Sequence, residues 1–179
     1  MTRSRALILY AAVILAGAAL DVATKVWVFG ALGGRIHDGQ LAGLPRVLDL
    51  LPGFLDFNLS LNPGAAFSTF IGKTWFLSVF SVAAVVLLTW MIARRESISL
   101  PLLLGFSSIG AGAVGNLWDR LHYGVVRDFI HVHWRDAYHY PTFNVADSMI
   151  SCGVVWLLIL EWRRSRQEAR QAAPQPHGG

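Results

Sequence analysis

Charge is what this chain has least of. Only 15% of its 179 residues are Asp, Glu, Lys or Arg, against 54% hydrophobic, and the mean hydropathy is +0.48. Soluble domains carry about 25% charged residues, so the composition places the chain among membrane proteins. Cysteine is nearly absent as well. The single Cys152 excludes an internal disulfide and reads as a small packing residue within an apolar run. No Ser or Cys has the neighbours of an activated nucleophile, and there is no Gly-rich phosphate loop, which sets aside those hydrolases and nucleotide enzymes. A pI near 9.7 invites nucleic acid as a partner. The arginines collect instead at the termini and in one short loop, the pattern that orients a chain in a bilayer.

Four apolar runs are long enough, at about 20 residues per crossing, to span a membrane. They cover about 6–29, 74–93, 99–118 and 145–162. The first follows Arg3 and Arg5; a cleaved secretory signal shares that start and the small residues Ala16 to Ala19. Against that reading, the apolar character resumes at Val26 to Phe29, beyond Asp21 and Lys25. Those two stand four apart on one helix face, where they are placed to pair. The second run ends at Arg94-Arg95-Glu96, with Trp75 and Trp90 near its ends as in an aromatic belt. The third carries Pro101 in its first turn and small residues at spacings of four, Ser108 with Gly112 and Ala111 with Gly115, which let helices approach closely in lipid. After the fourth, residues 163–179 form a basic tail expected to be disordered. With the termini and the Arg94 loop inside, segments 30–72 and 119–144 lie outside.

The segment 30–72 reads as a small extramembrane platform. It opens on turn-rich sequence, and Leu55 to Asn62, LDFNLSLN, alternates apolar and polar in the period of a half-buried strand. A turn at Asn62-Pro63-Gly64 follows, leading to the apolar Ala65 to Phe67, and Asn62 is suited to cap that turn.

Polar groups concentrate where a membrane protein has little reason to keep them. Between Gly115 and Asp147 lie Asn116, Asp119, Arg120, Asp128, Asn144 and Asp147. Ionisable groups at the hydrocarbon edge are functional candidates by default. Asp128, in VVRDFI, is reached from the third helix through a short loop whose mixed apolar surroundings would raise its pKa. Asp147, in FNVADSMI, opens the fourth helix, where the dipole favours negative charge. If the third and fourth helices pack together, the two carboxyls meet, share one proton and can split an amide with water. Asn116 and Asn144 are placed to hold the carboxylates or a substrate backbone. The plainer reading is a helix cap and a loop salt bridge to Arg120. His131 and His133 share a face in extended backbone and offer two metal ligands, but no third has matching local spacing, so no metal is expected. Other readings are a proton-coupled transporter subunit relaying through Asp21, Asp128 and Asp147, or a metal hydrolase sensitive to chelator and to His131→Ala or His133→Ala.

The motifs DVATK (Asp21 to Lys25), NPGAAFS (Asn62 to Ser68), GNLWDR (Gly115 to Arg120), VVRDFI (Val125 to Ile130) and FNVADS (Phe143 to Ser148) occur in this order between and within the spans. In these the chain resembles the lipoprotein signal peptidases, or signal peptidase II, of bacterial inner membranes, over nearly its whole length to Trp162. The resemblance implies a polytopic α-helical membrane protein of four transmembrane helices (residues 1–162) with a small extracytoplasmic β-cradle. It implies a cofactor-free aspartyl endopeptidase that removes signal peptides by cutting on the amino side of a diacylglyceryl-modified cysteine. The partners it implies are the lipidated prolipoprotein, membrane lipid and the cyclic peptide globomycin. By position Asp128 and Asp147 match the catalytic dyad, and Asp21, Asn62, Asn116, Arg120 and Asn144 the polar, substrate-contacting shell. The expected setting is a monomer in the inner membrane, termini cytoplasmic and dyad near the outer face. Arg127 departs from the family, which has an apolar residue there. Extended backbone would point it away from Asp128; otherwise its charge would lower the dyad's pKa.

Overall fold

The computed structural model describes residues 1–42, 46–64, 74–135 and 137–172. Four helices carry the chain: α1 (Arg3–Ala31), α2 (Thr74–Ala93), α3 (Leu100–Tyr123) and α4 (Val145–Ala172). Each holds a window of mean hydropathy between 1.4 and 2.4, long and apolar enough to cross a bilayer. Large apolar side chains such as Ile8, Leu15, Trp75, Val86 and Leu158 are exposed around the bundle, a surface that only lipid or a partner would cover. Cys152 joins that exposed face of α4 rather than packing inside.

Helix ends depart from the hydropathy boundaries for local reasons. α3 runs on to Tyr123 because Gly124, left-handed at φ 70°, closes it with its N–H on the Arg120 carbonyl. α4 continues to Ala172, through residues expected to be disordered. The segment EWRRSRQEARQA is rich in strong helix formers, Arg164 pairs with Glu168 one turn on at 2.8 Å, and Arg166 lies 4.3 Å over the Trp162 ring. Residues 173–179 lie outside the described residues, as do Ala65 to Phe67 and the rest of 65–73.

α3 packs against the other three helices, and its small residues permit this. Ser108 Oγ donates to the Met149 carbonyl at 2.7 Å. A Cβ on Gly112 would collide with the Ala146 carbonyl, and one on Gly115 would stand 2.6 Å from Asp21 Oδ2. Gly112→Ala must therefore push the first turn of α4 away. The expected cost is about 1–3 kcal/mol, seen as a lower melting temperature in detergent together with reduced turnover. Gly30→Ala, where a Cβ meets nothing within 4 Å, is the control and should melt no lower than wild type.

Two antiparallel sheets cap one end. β1 (Arg35–His37) and β2 (Gln40–Ala42) form a hairpin around Asp38 and Gly39, both at positive φ, the turn that an Asp-Gly pair favours. The larger sheet has the order β3 (Leu48–Leu51), β4 (Leu55–Asn62), β5 (Val126–Trp134), β6 (Tyr138–His139). β4 spans the alternating octet, yet its burial does not alternate: Asp56 and Leu59 are the buried pair, with a register shift between Phe57 and Ser60. β5 replaces the expected short loop, and its first four residues are all buried. At the opposite end the N-terminus hydrogen-bonds Ile98, and Trp156 Nε1 donates to the Pro101 carbonyl. Both termini of the bundle and the Arg94 loop therefore lie together, away from the sheets.

Candidate active site

Along α1 an apolar cluster built on Ala6, Tyr10 and Ile14 gives way to Asp21 and Lys25, and then to a second cluster of Val28, Phe29, Leu32, Leu59 and Phe129 beneath the sheet. Between these clusters lies a polar layer. Lys25, fully buried, stands 2.7 Å from Asp21 Oδ2 as an ion pair, 3.1 Å from Asp119 Oδ2, and donates to Asn116 Oδ1 at 3.1 Å. Asp119 also takes Arg127, whose Nε and Nη2 donate to Oδ1 at 3.1 and 2.7 Å while its backbone N–H donates to Oδ2 at 2.9 Å. The guanidinium is flanked by the Tyr123 and Phe29 rings at 4.5 and 5.8 Å. Two acids and two bases thus neutralise one another out of water, which is how buried charge is tolerated.

The two candidate carboxylates sit against this layer. Asp128 comes from β5 and is 2% exposed. Asp147 is the third residue of α4. Asn144 precedes that helix and caps it: its Oδ1 accepts the Asp147 N–H at 2.9 Å, and Asp147 Oδ2 accepts the Asn144 N–H at 3.3 Å. The Asn144 side chain turns its Nδ2 to Asp128 Oδ1 at 2.6 Å, so this one residue holds both acids. Asn116 Nδ2 donates to Asp147 Oδ1 at 2.7 Å, and Asn62 Nδ2 to Asp128 Oδ2 at 3.2 Å. Burial first, and then the nearby charge of Asp147, push the Asp128 carboxyl up to about 7, against the opposing pull of Asn62 and Asn144.

The remaining expectations divide. Asn62 does cap its turn, accepting the Gly64 N–H at 3.1 Å, and also reaches Asp128. Arg120 donates to Ser81 Oγ at 3.4 Å and lies within electrostatic reach of both carboxylates. Asp21, expected in the substrate-contacting shell, is 0% exposed. Its Oδ1 accepts the Ala146 N–H at 2.8 Å, so it anchors the start of α4 from α1. Arg127 points away from Asp128, as extended backbone requires, because Asp119 holds it. The Asp119–Arg127 pair escaped the sequence reading, although Asp119 shares a helix face with Asn116. The third partner for His131 and His133 escaped it too: Asp56 arrives from β4, with an oxygen 3.1 Å from each ring.

Comparison with known proteins bears on the same residues. A family model described as Signal peptidase (SPase) II matches residues 13–163. The lipoprotein signal peptidase of Clostridium novyi (strain NT) is 33% identical over 154 residues, covering 86% of this chain and 97% of that protein. Its counterpart in Ectopseudomonas mendocina (strain ymp) is 37% identical over 145 residues, covering 77% and 83%. A bacterial membrane enzyme whose structure was determined by the in meso method at 2.3 Å resolution shares the fold, with a TM-score of 0.72 and 23% identity over 95% of this chain and 94% of that one. The family match runs through all four helices and takes in the whole polar layer from Asp21 to Asp147, and the chain belongs to the signal peptidase II family.

Proposed function

We propose that Asp128 and Asp147 hydrolyse the peptide bond on the amino side of a diacylglyceryl-modified cysteine, freeing the signal peptide of a prolipoprotein. The observation that carries this reading is the Asn144 bridge, which fixes two acids from separate elements in one hydrogen-bonded system. With its carboxyl raised, Asp128 is the member that keeps the shared proton and polarises the scissile carbonyl. Asp147 takes a proton from the attacking water. When the tetrahedral intermediate collapses, the leaving amine nitrogen receives a proton from the dyad. Asn62, Asn116 and Asn144 hold the carboxylates, Asp21 positions α4, and Arg120 is left to meet the substrate backbone.

The setting follows from the same reading. Arg3, Arg5, Arg94, Arg95 and the arginines of α4 share one end, which we assign to the cytoplasm; the sheets then form an extracytoplasmic cradle beside the dyad. The substrate's acyl chains stay in the bilayer, since each CH₂ withdrawn costs about 0.8 kcal/mol, so it enters laterally between helices. One chain supplies every group in the site, which fits a monomer, and a globomycin-type cyclic peptide would compete at the dyad. A transporter subunit fits neither the family nor the bridged pair.

A mass-shift assay in detergent should find cleavage before the lipidated cysteine and none of the same prolipoprotein without its diacylglyceryl group. Equal cleavage of both would refute the lateral, lipid-held substrate. The pH dependence has a definite sign. Asp128 keeps its proton below about 7, so the singly protonated dyad fades above that value. Turnover should fall by about tenfold per pH unit on the alkaline side; a rate still rising at pH 9 would exclude Asp128 as the acid.

A further inference from the structure

A second polar cluster lies on the large sheet, and the dyad chemistry does not use it. The register sets Asp56 of β4 opposite His131 of β5, and His133 of β5 opposite His139 of β6. The three imidazoles stack with centroids 5.0, 5.2 and 5.6 Å apart and planes within 11° of parallel. Asp56 is buried among them, with both oxygens 3.1 Å from His131 Nδ1 and Oδ2 3.1 Å from His133 Nε2. One ligand atom from each of Asp56, His131 and His133 lies within 4.8 Å of the other two.

Proton placement decides what this cluster is for. His133 Nδ1 lies 3.1 Å from the Arg135 carbonyl, which can only accept, so Nδ1 carries the proton. In the neutral ring Nε2 then presents a lone pair. Among the described residues that atom is buried without a hydrogen-bond partner, and the Asp56 oxygen beside it offers lone pairs as well. His131 repeats the arrangement. Its Nε2 is 3.2 Å from His139 Nδ1, and when it donates there its Nδ1 turns a lone pair toward Asp56. In that tautomer two imine nitrogens and a carboxylate converge on one point with no proton among them. A cation at that point removes the repulsion. Nitrogen and oxygen ligands around a tetrahedral zinc stand about 3.3 Å apart, close to the 3.1 Å separations found here.

We propose that Asp56, His131 and His133 bind a divalent cation of the zinc class. His139 and the Arg135 carbonyl hold the outer ring nitrogens, as second partners of metal-bound histidines do. The ion fastens β4 to β5 three residues beyond Asp128 and so fixes the register of the strand that carries the dyad. Its role is structural, and the reading is independent of the peptidase assignment.

The full-length protein in detergent, stripped with chelator and dialysed, should take up one equivalent of Zn²⁺ in competition with a chromogenic chelator. His133→Ala should weaken binding by at least roughly 100-fold, and the exposed His139→Ala by roughly 10-fold. Co²⁺ should give the visible absorption of a tetrahedral site in wild type and not in His133→Ala. Zn²⁺ should raise the melting temperature of wild type alone. No saturable uptake by wild type, or equal affinity in a His131→Ala/His133→Ala double variant, overturns the proposal and leaves an imidazolium–carboxylate contact only.

Discussion

Asp128→Asn should reduce cleavage of a lipidated prolipoprotein by roughly 10³-fold or more, and at the same time flatten the protein's stability against pH. The two effects have one origin. Asp128 is held almost out of water beside Asp147, and its carboxyl titrates near 7 rather than in the usual carboxylate range. A carboxyl raised on folding contributes its full stability below the unfolded value, about 3.9, and loses it as pH rises through the folded value. Wild type should thus melt progressively lower from about pH 4 to about pH 7 and level off above. Asparagine keeps the shape and still accepts from Asn144, but has no proton to give and no charge to bury. Asp147→Asn should be as inactive, since the base is lost, while its amide oxygen still accepts the N–H of Asn144 and the cap survives. Substantial turnover in either variant removes the dyad. An Asp128→Asn variant as pH-sensitive as wild type would mean that the carboxyl is not strained in the way described.

The parts of this molecule that were readable in the sequence are those written locally. Long apolar runs, small residues four apart and a strictly alternating octet each announce an element by their own period, and Asp147 announces a helix start. What stayed hidden is made by pairing across the chain. β5 begins with residues buried on both faces, so VRDF has no alternation to detect, and the alternation of IHVHW after it is only five residues long. The Asp38-Gly39 turn was a usable hairpin signal that the turn-rich context of 30–40 obscured. Asp56 falls on the polar side of the LDFNLSLN alternation, and its burial stays hidden because its partners, His131 and His133, come from 75 and 77 residues away. Asp21 stood in the substrate-contacting shell by resemblance alone, and nothing near it in sequence shows that Gly115 and Ala146 close over it. Its i,i+4 pairing with Lys25 was legible; its complete burial was not.

That burial makes Lys25→Met the substitution with the largest expected effect on stability. Lys25 Nζ stands within 3.1 Å of oxygens on Asp21, Asp119 and Asn116, and the set of Asp21, Asp119, Lys25 and Arg127 is neutral as a whole. Methionine matches the length but leaves two carboxylates against a single guanidinium, out of contact with water. Removing one member of a buried ion pair costs about 3–5 kcal/mol, or roughly 10 °C in a chain of this size. Asn116 Oδ1 also loses one of its two donors, keeping Asn144 Nδ2 at 3.1 Å, and with it part of the restraint that aims its amide at Asp147, so turnover should fall along with the melting temperature. Exposed pairs behave differently: at Arg164–Glu168, 70% and 62% exposed, Glu168→Ala should leave the melting temperature nearly unchanged. Adding Asp21→Asn to Lys25→Met restores neutrality to the layer, and the double variant should regain part of the lost stability, as coupled neighbours do. If Lys25→Met melts no lower than Glu168→Ala, or the second substitution lowers stability further, the charges are not balanced as a unit and α4 is held in place by packing alone.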